Sequence, residues 1–171
     1  PTSSSAASDV YKRQVLDGGF YKWKDEKRKI STNNEIIQIS NYIAKENINM
    51  VKSKEQVDSN INLNEFDLVD ARSRDRFDGN TPDPRKNVKS GSIPNSVCLP
   101  FKTLINDNYT FKNKAEISTH FKELSLNDDI NVVFSCGSGI TACVLALAYS
   151  LVNNKYLPVI YDGSWAEYGK I

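Results

Sequence analysis

Apolar positions along the chain fall into two rhythms, and the order in which they alternate decides the architecture. Short runs of strand-forming residues occur at Phe66-Asp67-Leu68-Val69-Asp70, at Ser96-Val97-Cys98-Leu99 after a turn at Ile93-Pro94-Asn95, at Asn131 to Ser135 and at Val159 to Tyr161. Helical signals lie between them. Ser53-Lys54-Glu55-Gln56 is a capping-box pattern that opens a helix, and Ala115 to Leu124 places Ile117, Phe121 and Leu124 on one helical face. From Thr141 to about Val152 the chain is apolar nearly all round, through Val144, Leu145, Ala146, Leu147 and Leu151, which predicts a buried helix. Strands alternating with helices predict an α/β fold: a central, mostly parallel sheet with helices on both faces, in three layers. In such folds the active site lies beyond the carboxyl ends of the strands.

One signature occurs twice. Val15-Leu16-Asp17-Gly18-Gly19-Phe20-Tyr21-Lys22-Trp23 and Ile160-Tyr161-Asp162-Gly163-Ser164-Trp165-Ala166-Glu167-Tyr168 share two strand residues, Asp-Gly, a small residue, an aromatic, and a second aromatic three places on. Each reads as a strand running into a short helix whose aromatics share a face. Their separation is about one domain, which predicts a tandem protein. On this reading residues 15–23 are the remnant of a first unit that is nearly all missing, and residues 48–171 form the second. Residues 24–47, polar and rich in Asn and Lys, read as an interdomain linker. Residues 1–14, rich in Ser and Ala, read as a disordered or non-native tail.

Composition narrows the partners. The 171 residues are 39% hydrophobic and 10% aromatic, enough for one core in a soluble globular protein. Lys+Arg 22 against Asp+Glu 21 leaves a net charge of +1, so nothing global steers the chain to nucleic acid or to an anionic membrane. Cys98, Cys136 and Cys143, with no CxxC pair and a single histidine, make neither a disulfide framework nor a zinc site, and no metal is expected. With no apolar span in view, a reducing compartment fits: the cytoplasm, or the mitochondrion in a eukaryote.

The chemistry concentrates after the third strand signal. Val132-Val133-Phe134 stops at Ser135-Cys136, and the chain turns through Gly137-Ser138-Gly139-Ile140 into the helix opening at Thr141-Ala142. Glycines can take positive φ and turn successive N–H groups toward one point, and the helix behind adds its positive end. Such a place suits an anion. The nearest candidate is the thiolate of Cys136, a nucleophile formed without a neighbouring imidazole. A phosphate-binding P-loop would end in Gly-Lys-Ser/Thr, and a cysteine-phosphatase loop would carry His before the cysteine and Arg six places after it. Here those positions hold Gly139-Ile140-Thr141, Ser135 and Ala142. The loop is therefore almost uncharged, shaped for a small singly charged group such as a persulfide on the cysteine. Against this stands a free cysteine packed as a small hydrophobe.

Four segments, Asp70-Ala71-Arg72, Gly91-Ser92-Ile93-Pro94-Asn95, Cys136-Gly137-Ser138-Gly139-Ile140-Thr141-Ala142 and Tyr161-Asp162-Gly163-Ser164-Trp165, stand in the order and spacing of a known family. They resemble the C-terminal, catalytic rhodanese domain of the 3-mercaptopyruvate sulfurtransferases. The resemblance runs from roughly Tyr42 to Tyr168, and residues 15–23 are similar to the last motif of that family's N-terminal domain. Thiosulfate sulfurtransferases usually carry Arg-Lys after the cysteine, to suit a dianionic donor; Gly137-Ser138 is similar to the mercaptopyruvate type, whose donor bears one carboxylate.

The resemblance implies a rhodanese-like fold and a set of roles. Arg76 and Arg85 match the family's substrate-binding arginines, which hold the carboxylate and ketone oxygens. Charge alone reads that segment as a solvated loop, since Asp75, Asp78 and Asp83 interleave with the arginines, and Arg72 reads as an ion-pair partner of Asp70. The implied mechanism has Cys136 take sulfur from 3-mercaptopyruvate, with residues 137–141 cradling the persulfide and pyruvate leaving. Thioredoxin, small thiols or cyanide would then accept the sulfur, without a cofactor. Ser138 would join a proton relay with an aspartate and a histidine of the missing domain. His120 reads as a surface residue, and Cys98 and Cys143 as core. A thiosulfate sulfurtransferase and a non-catalytic rhodanese-like module stand as alternatives.

Overall fold

A computed structural model describes residues 14–33, 41, 43 and 45–171; the tail expected at 1–14 lies outside the described residues except for Gln14, as do residues 34–40, 42 and 44 of the expected linker. The described residues divide into two compact units. One takes in the described part of Pro1–Ser40 together with Ile105–Phe111, the other the described part of Asn41–Leu104 and all of Lys112–Ile171.

In the first unit, helix α1 (Gly19–Asp25) follows Gly18, whose φ of 89° only glycine adopts at little cost. No strand forms at Val15-Leu16, contrary to the expectation, and both side chains are exposed. A two-residue apolar run becomes a strand only when a neighbour satisfies its backbone. Ile105 and Phe111 form an antiparallel bridge, the Phe111 amide donates to the Asp17 carboxylate (2.9 Å), and Tyr21 stacks on Tyr109.

The second unit is the expected α/β arrangement. In chain order it holds β1 (Val51–Lys52), α2 (Lys54–Leu63), β2 (Phe66–Asp70), α3 (Arg74–Phe77), β3 (Ser96–Cys98), α4 (Lys114–Lys122), β4 (Asn131–Ser135), α5 (Ala142–Val152), β5 (Ile160–Tyr161) and α6 (Ser164–Tyr168). Five strands order as β1-β5-β4-β2-β3, all parallel, with Asp70 level with Cys98 on one side and Ser135 on the other. This register places the carboxyl ends of β2 and β4 side by side, and Cys136 leaves from there.

Strand alternation sorts the core into two layers. Phe66, Leu68 and Val133 pack with Val57 of α2 and with Tyr161 and Trp165 at the chain's end. Phe134 points the other way, into edge-to-face contact with Phe121 of α4, Tyr149 of α5 and Tyr156. Helices thus cover both faces. The capping box at Ser53 and Gln56 forms as its sequence predicts, and Asn113 and Glu116 build a second one at the start of α4. No helix among the described residues is long and apolar enough to cross a membrane.

The turn into β2 hangs on Asn60. Its buried side chain accepts from the amides of Glu65 (2.8 Å) and Phe66 (3.0 Å) and donates to the Phe66 carbonyl (2.8 Å). Removing it leaves these groups unpaired beside the core. Asn60→Ala is expected to cost about 2–3 kcal/mol, read as a lower urea midpoint with an unchanged slope.

Candidate active site

Backbone geometry brings Cys136 to the mouth of a tight turn, and the end of the chain holds that turn in shape. Cys136 is 2% exposed. Its amide and that of Gly139 both donate to Ser164 Oγ, at 3.0 and 3.1 Å, and the Ser164 hydroxyl in turn donates to the Tyr161 carbonyl at 2.8 Å. From α6, the amides of Trp165 and Ala166 donate to the carbonyls of Cys136 (3.0 Å) and Gly137 (2.9 Å). Four main-chain groups of the loop are thus held by three consecutive residues. Ser164 takes a φ of 49° to do this, and is wholly buried.

The sequence reading missed Ser164. It stands as the small residue of the repeated signature, where the first copy has Gly19, and only the fold brings it under the loop. The signal was a hydroxyl in place of a second glycine.

The amide of Gly139 is therefore committed to Ser164 and not turned toward a ligand. Among the described residues, the amides of Gly137, Ser138, Ile140 and Thr141 have no protein acceptor. The start of α5 lies just behind these four. The Ser138 and Ile140 side chains are exposed at the loop's outer edge, and Ser138 has no partner among the described residues.

Gly139 has a φ of 77° and no room for a side chain: a Cβ there would lie 2.5 Å from Asp162 Oδ1 and 2.9 Å from the Asp162 carbonyl. Both the left-handed turn and the approach of β5's end require glycine.

Arg76 and Arg85 meet at the other glycine. A Cβ on Gly137 would sit 3.2 and 3.3 Å from the two terminal nitrogens of Arg85 and 3.4 Å from Arg76 Nη2. Asp83 couples the pair. Its Oδ2 accepts from Arg76 Nη2 (2.6 Å), and its Oδ1 from Arg85 Nη1 (3.2 Å) and the Arg85 amide (3.0 Å). Arg76 Nε is buried without a partner among the described residues. Burial raises the Asp83 carboxyl, but the Arg85 amide and the Arg76 guanidinium outweigh it and hold the group below the ordinary carboxylate range. The stability this adds is present above the unfolded-chain value and is lost as pH falls through the lowered one.

Arg72 goes elsewhere, as the Asp70 pairing predicts. Both are buried; Arg72 Nε bonds the Asp70 carboxylate, Nη2 reaches the Gly91 carbonyl (2.8 Å), and the guanidinium lies over the Trp165 ring. His120 is on α4 beside Glu123, 3.6 Å away, and takes no part in the loop. Cys98 is buried as expected, and burial pushes its thiol up to about 11. Cys143 corrects the reading: it is exposed, because α5 turns Ala142, Leu145, Ala146 and Ala148 inward and leaves position 143 facing out. Its Sγ donates to the Gly139 carbonyl, and desolvation raises this thiol also.

The parallel sheet thus ends in a cysteine loop with two guanidiniums beside it. Residues 53–170 match the model of the rhodanese-like domain, and the chain belongs to that family. It is 35% identical to the 3-mercaptopyruvate sulfurtransferase of Mus musculus over 154 residues, covering 90% of this chain and 52% of that protein. It is 32% identical to the thiosulfate sulfurtransferase of Gallus gallus over the same coverage. Among solved structures, the Tum1 protein from Saccharomyces cerevisiae superposes with a TM-score of 0.62 at 26% identity, over 70% of this chain and 43% of that one. The anaerobic ergothioneine biosynthesis enzyme from Chlorobium limicola shares the fold, with a TM-score of 0.77 at 19% identity over 89% of this chain and 38% of that one. The chain spans about half the length of the curated relatives it matches.

Proposed function

We propose that this chain is the C-terminal, sulfur-carrying part of a tandem sulfurtransferase of the 3-mercaptopyruvate type. The observation that carries the reading is the meeting of Arg76 and Arg85 with the Cys136 loop at Gly137. Two forked cations beside a cysteine suit a donor with a carboxylate and a ketone next to its sulfur.

The Cys136 thiolate attacks the donor sulfur. The C–S bond breaks, its electron pair passes to carbon as pyruvate enolate, and the donor's thiol proton stays on the outer sulfur of the new persulfide. That proton is then lost to water, and the charge of the persulfide anion is taken up by the amides of Gly137, Ser138, Ile140 and Thr141, which have no acceptor among the described residues. Enolate protonation falls to the Ser138 hydroxyl, in relay with a histidine and an aspartate of a preceding domain. An acceptor thiolate, such as that of thioredoxin, then attacks the outer sulfur and restores the Cys136 thiolate. Without that preceding domain, full turnover is slow. The free thiols fit a reducing compartment, cytoplasmic or mitochondrial.

Similarity to a thiosulfate sulfurtransferase favours thiosulfate as the second donor reading. Sulfur loading of the chain, followed by intact mass, separates the two. A gain of one sulfur atom, faster from 3-mercaptopyruvate than from thiosulfate and reversed by a reducing thiol, is the expected result. Faster loading from thiosulfate reverses the donor assignment, and no gain from either ends the sulfur-transfer reading.

A further inference from the structure

The charge beside the loop is not what two arginines would supply. Asp83 sits beneath them with its side chain 1% exposed, while Arg76 and Arg85 are 26% and 37% exposed. A buried carboxylate thus underlies two half-open cations. Its position is stiff: Pro84 keeps Asp83 out of the helical region, Pro82 fixes the chain before it, and the Arg85 amide binds its Oδ1. Both guanidiniums give one nitrogen to Asp83. The other terminal nitrogen of Arg85, Nη2, makes no hydrogen bond among the described residues and lies against Gly137. Two positive charges and one negative leave a face that is positive by one unit. The other acid against the loop, Asp162, lies beside Gly139 and is exposed to water, where screening is strong.

We propose that Asp83 is a specificity-determining residue: it cancels one guanidinium charge from below and so selects monoanionic sulfur donors over dianionic ones. This rests on the sulfur-transfer reading and adds the residue that sets the donor's charge. A monoanion such as 3-mercaptopyruvate neutralises the face. A dianion such as thiosulfate leaves an uncompensated negative charge in a half-buried site, beside a cysteine that must itself be negative to react. Loop residues 137–141 carry no charged side chain and add no charge of their own, so Arg76, Arg85 and Asp83 set the net charge of this face.

The test is Asp83→Asn in the full chain, which removes the charge and keeps the shape. The second-order rate constant of sulfur loading is measured for both donors by intact mass. The thiosulfate-to-mercaptopyruvate ratio is expected to rise at least about tenfold, since one uncompensated unit charge in a partly desolvated site is worth that much. A ratio cancels any difference in the folded fraction. Combining Asp83→Asn with Arg85→Gln restores the single net charge and should bring the ratio back toward the wild-type value. An unchanged ratio in the single variant, or one that fails to return in the double variant, overturns the proposal. Titration calorimetry with sulfate and with pyruvate supplies an arm that needs no sulfur chemistry: Asp83→Asn should tighten sulfate relative to pyruvate by a similar factor. If wild type loads sulfur from neither donor, the sulfur-transfer reading fails, and the calorimetric ratio alone decides whether Asp83 sets the anion's charge.

Discussion

A Cys136→Ser protein incubated with 3-mercaptopyruvate is expected to keep its mass, while the wild-type chain gains one sulfur atom. A serine hydroxyl is neutral at any pH the protein survives and is a poor nucleophile without a base, so the loading rate should fall by at least about a thousandfold. Folding should not be the cause. The Cys136 side chain makes no hydrogen bond among the described residues, and the loop is held through main-chain groups that serine retains. The buried hydroxyl costs about 1–2 kcal/mol at most. A melting curve close to wild type together with an unchanged mass would fix the chemistry on this one atom. Sulfur gained by the variant would move it to another thiol, although desolvation raises both the buried Cys98 and the outward-facing Cys143 away from the reactive form.

Gly139→Ala should be the most damaging single methyl in the loop. A left-handed φ costs an alanine about 1–2 kcal/mol by itself. The new Cβ also meets Asp162, whose carboxylate can rotate away but whose carbonyl, at 2.9 Å, belongs to the backbone at the end of β5. The turn or that backbone must move, and the amide bond to Ser164 goes with it. We expect a loss of about 2–4 kcal/mol in urea unfolding and a roughly hundredfold slower loading of Cys136. Gly137→Ala is the internal comparison. Position 137 has no positive φ, and its added methyl meets only the movable ends of two arginines, so stability should change by less than about 1 kcal/mol. Equal losses at both positions would mean that φ and the Asp162 contact do not govern the loop.

Much of the fold was legible because its signals are local. The strands at Phe66, Ser96 and Asn131, the capping box at Ser53 and the cysteine loop all announce themselves in a few adjacent residues. The failures share a physical cause. β1 is two residues long and exists only because Val51 and Lys52 pair with Ile160 and Tyr161, a partnership no local pattern encodes. The same dependence on a partner undid the strand expected at Val15-Leu16. Asp83 read as one of several solvated acids, yet its neighbours bury it; interleaved charge says nothing about which member goes under. Ser164 read only as the small residue of the repeated signature; Cys143 read as core because an all-apolar helix gives no phase to its faces. Arg72 was legible because its partner Asp70 is two residues away.

The residues that hold the Cys136 turn follow it in the order of synthesis. On the ribosome, β4 and the cysteine emerge well before Ser164, Trp165 and Ala166, and until those three arrive the amides of Cys136 and Gly139 lack their acceptor and the carbonyls of Cys136 and Gly137 lack their donors. A nascent chain therefore carries Cys136 before its loop is held in shape. The loop takes its final shape only when α6 has docked beneath it.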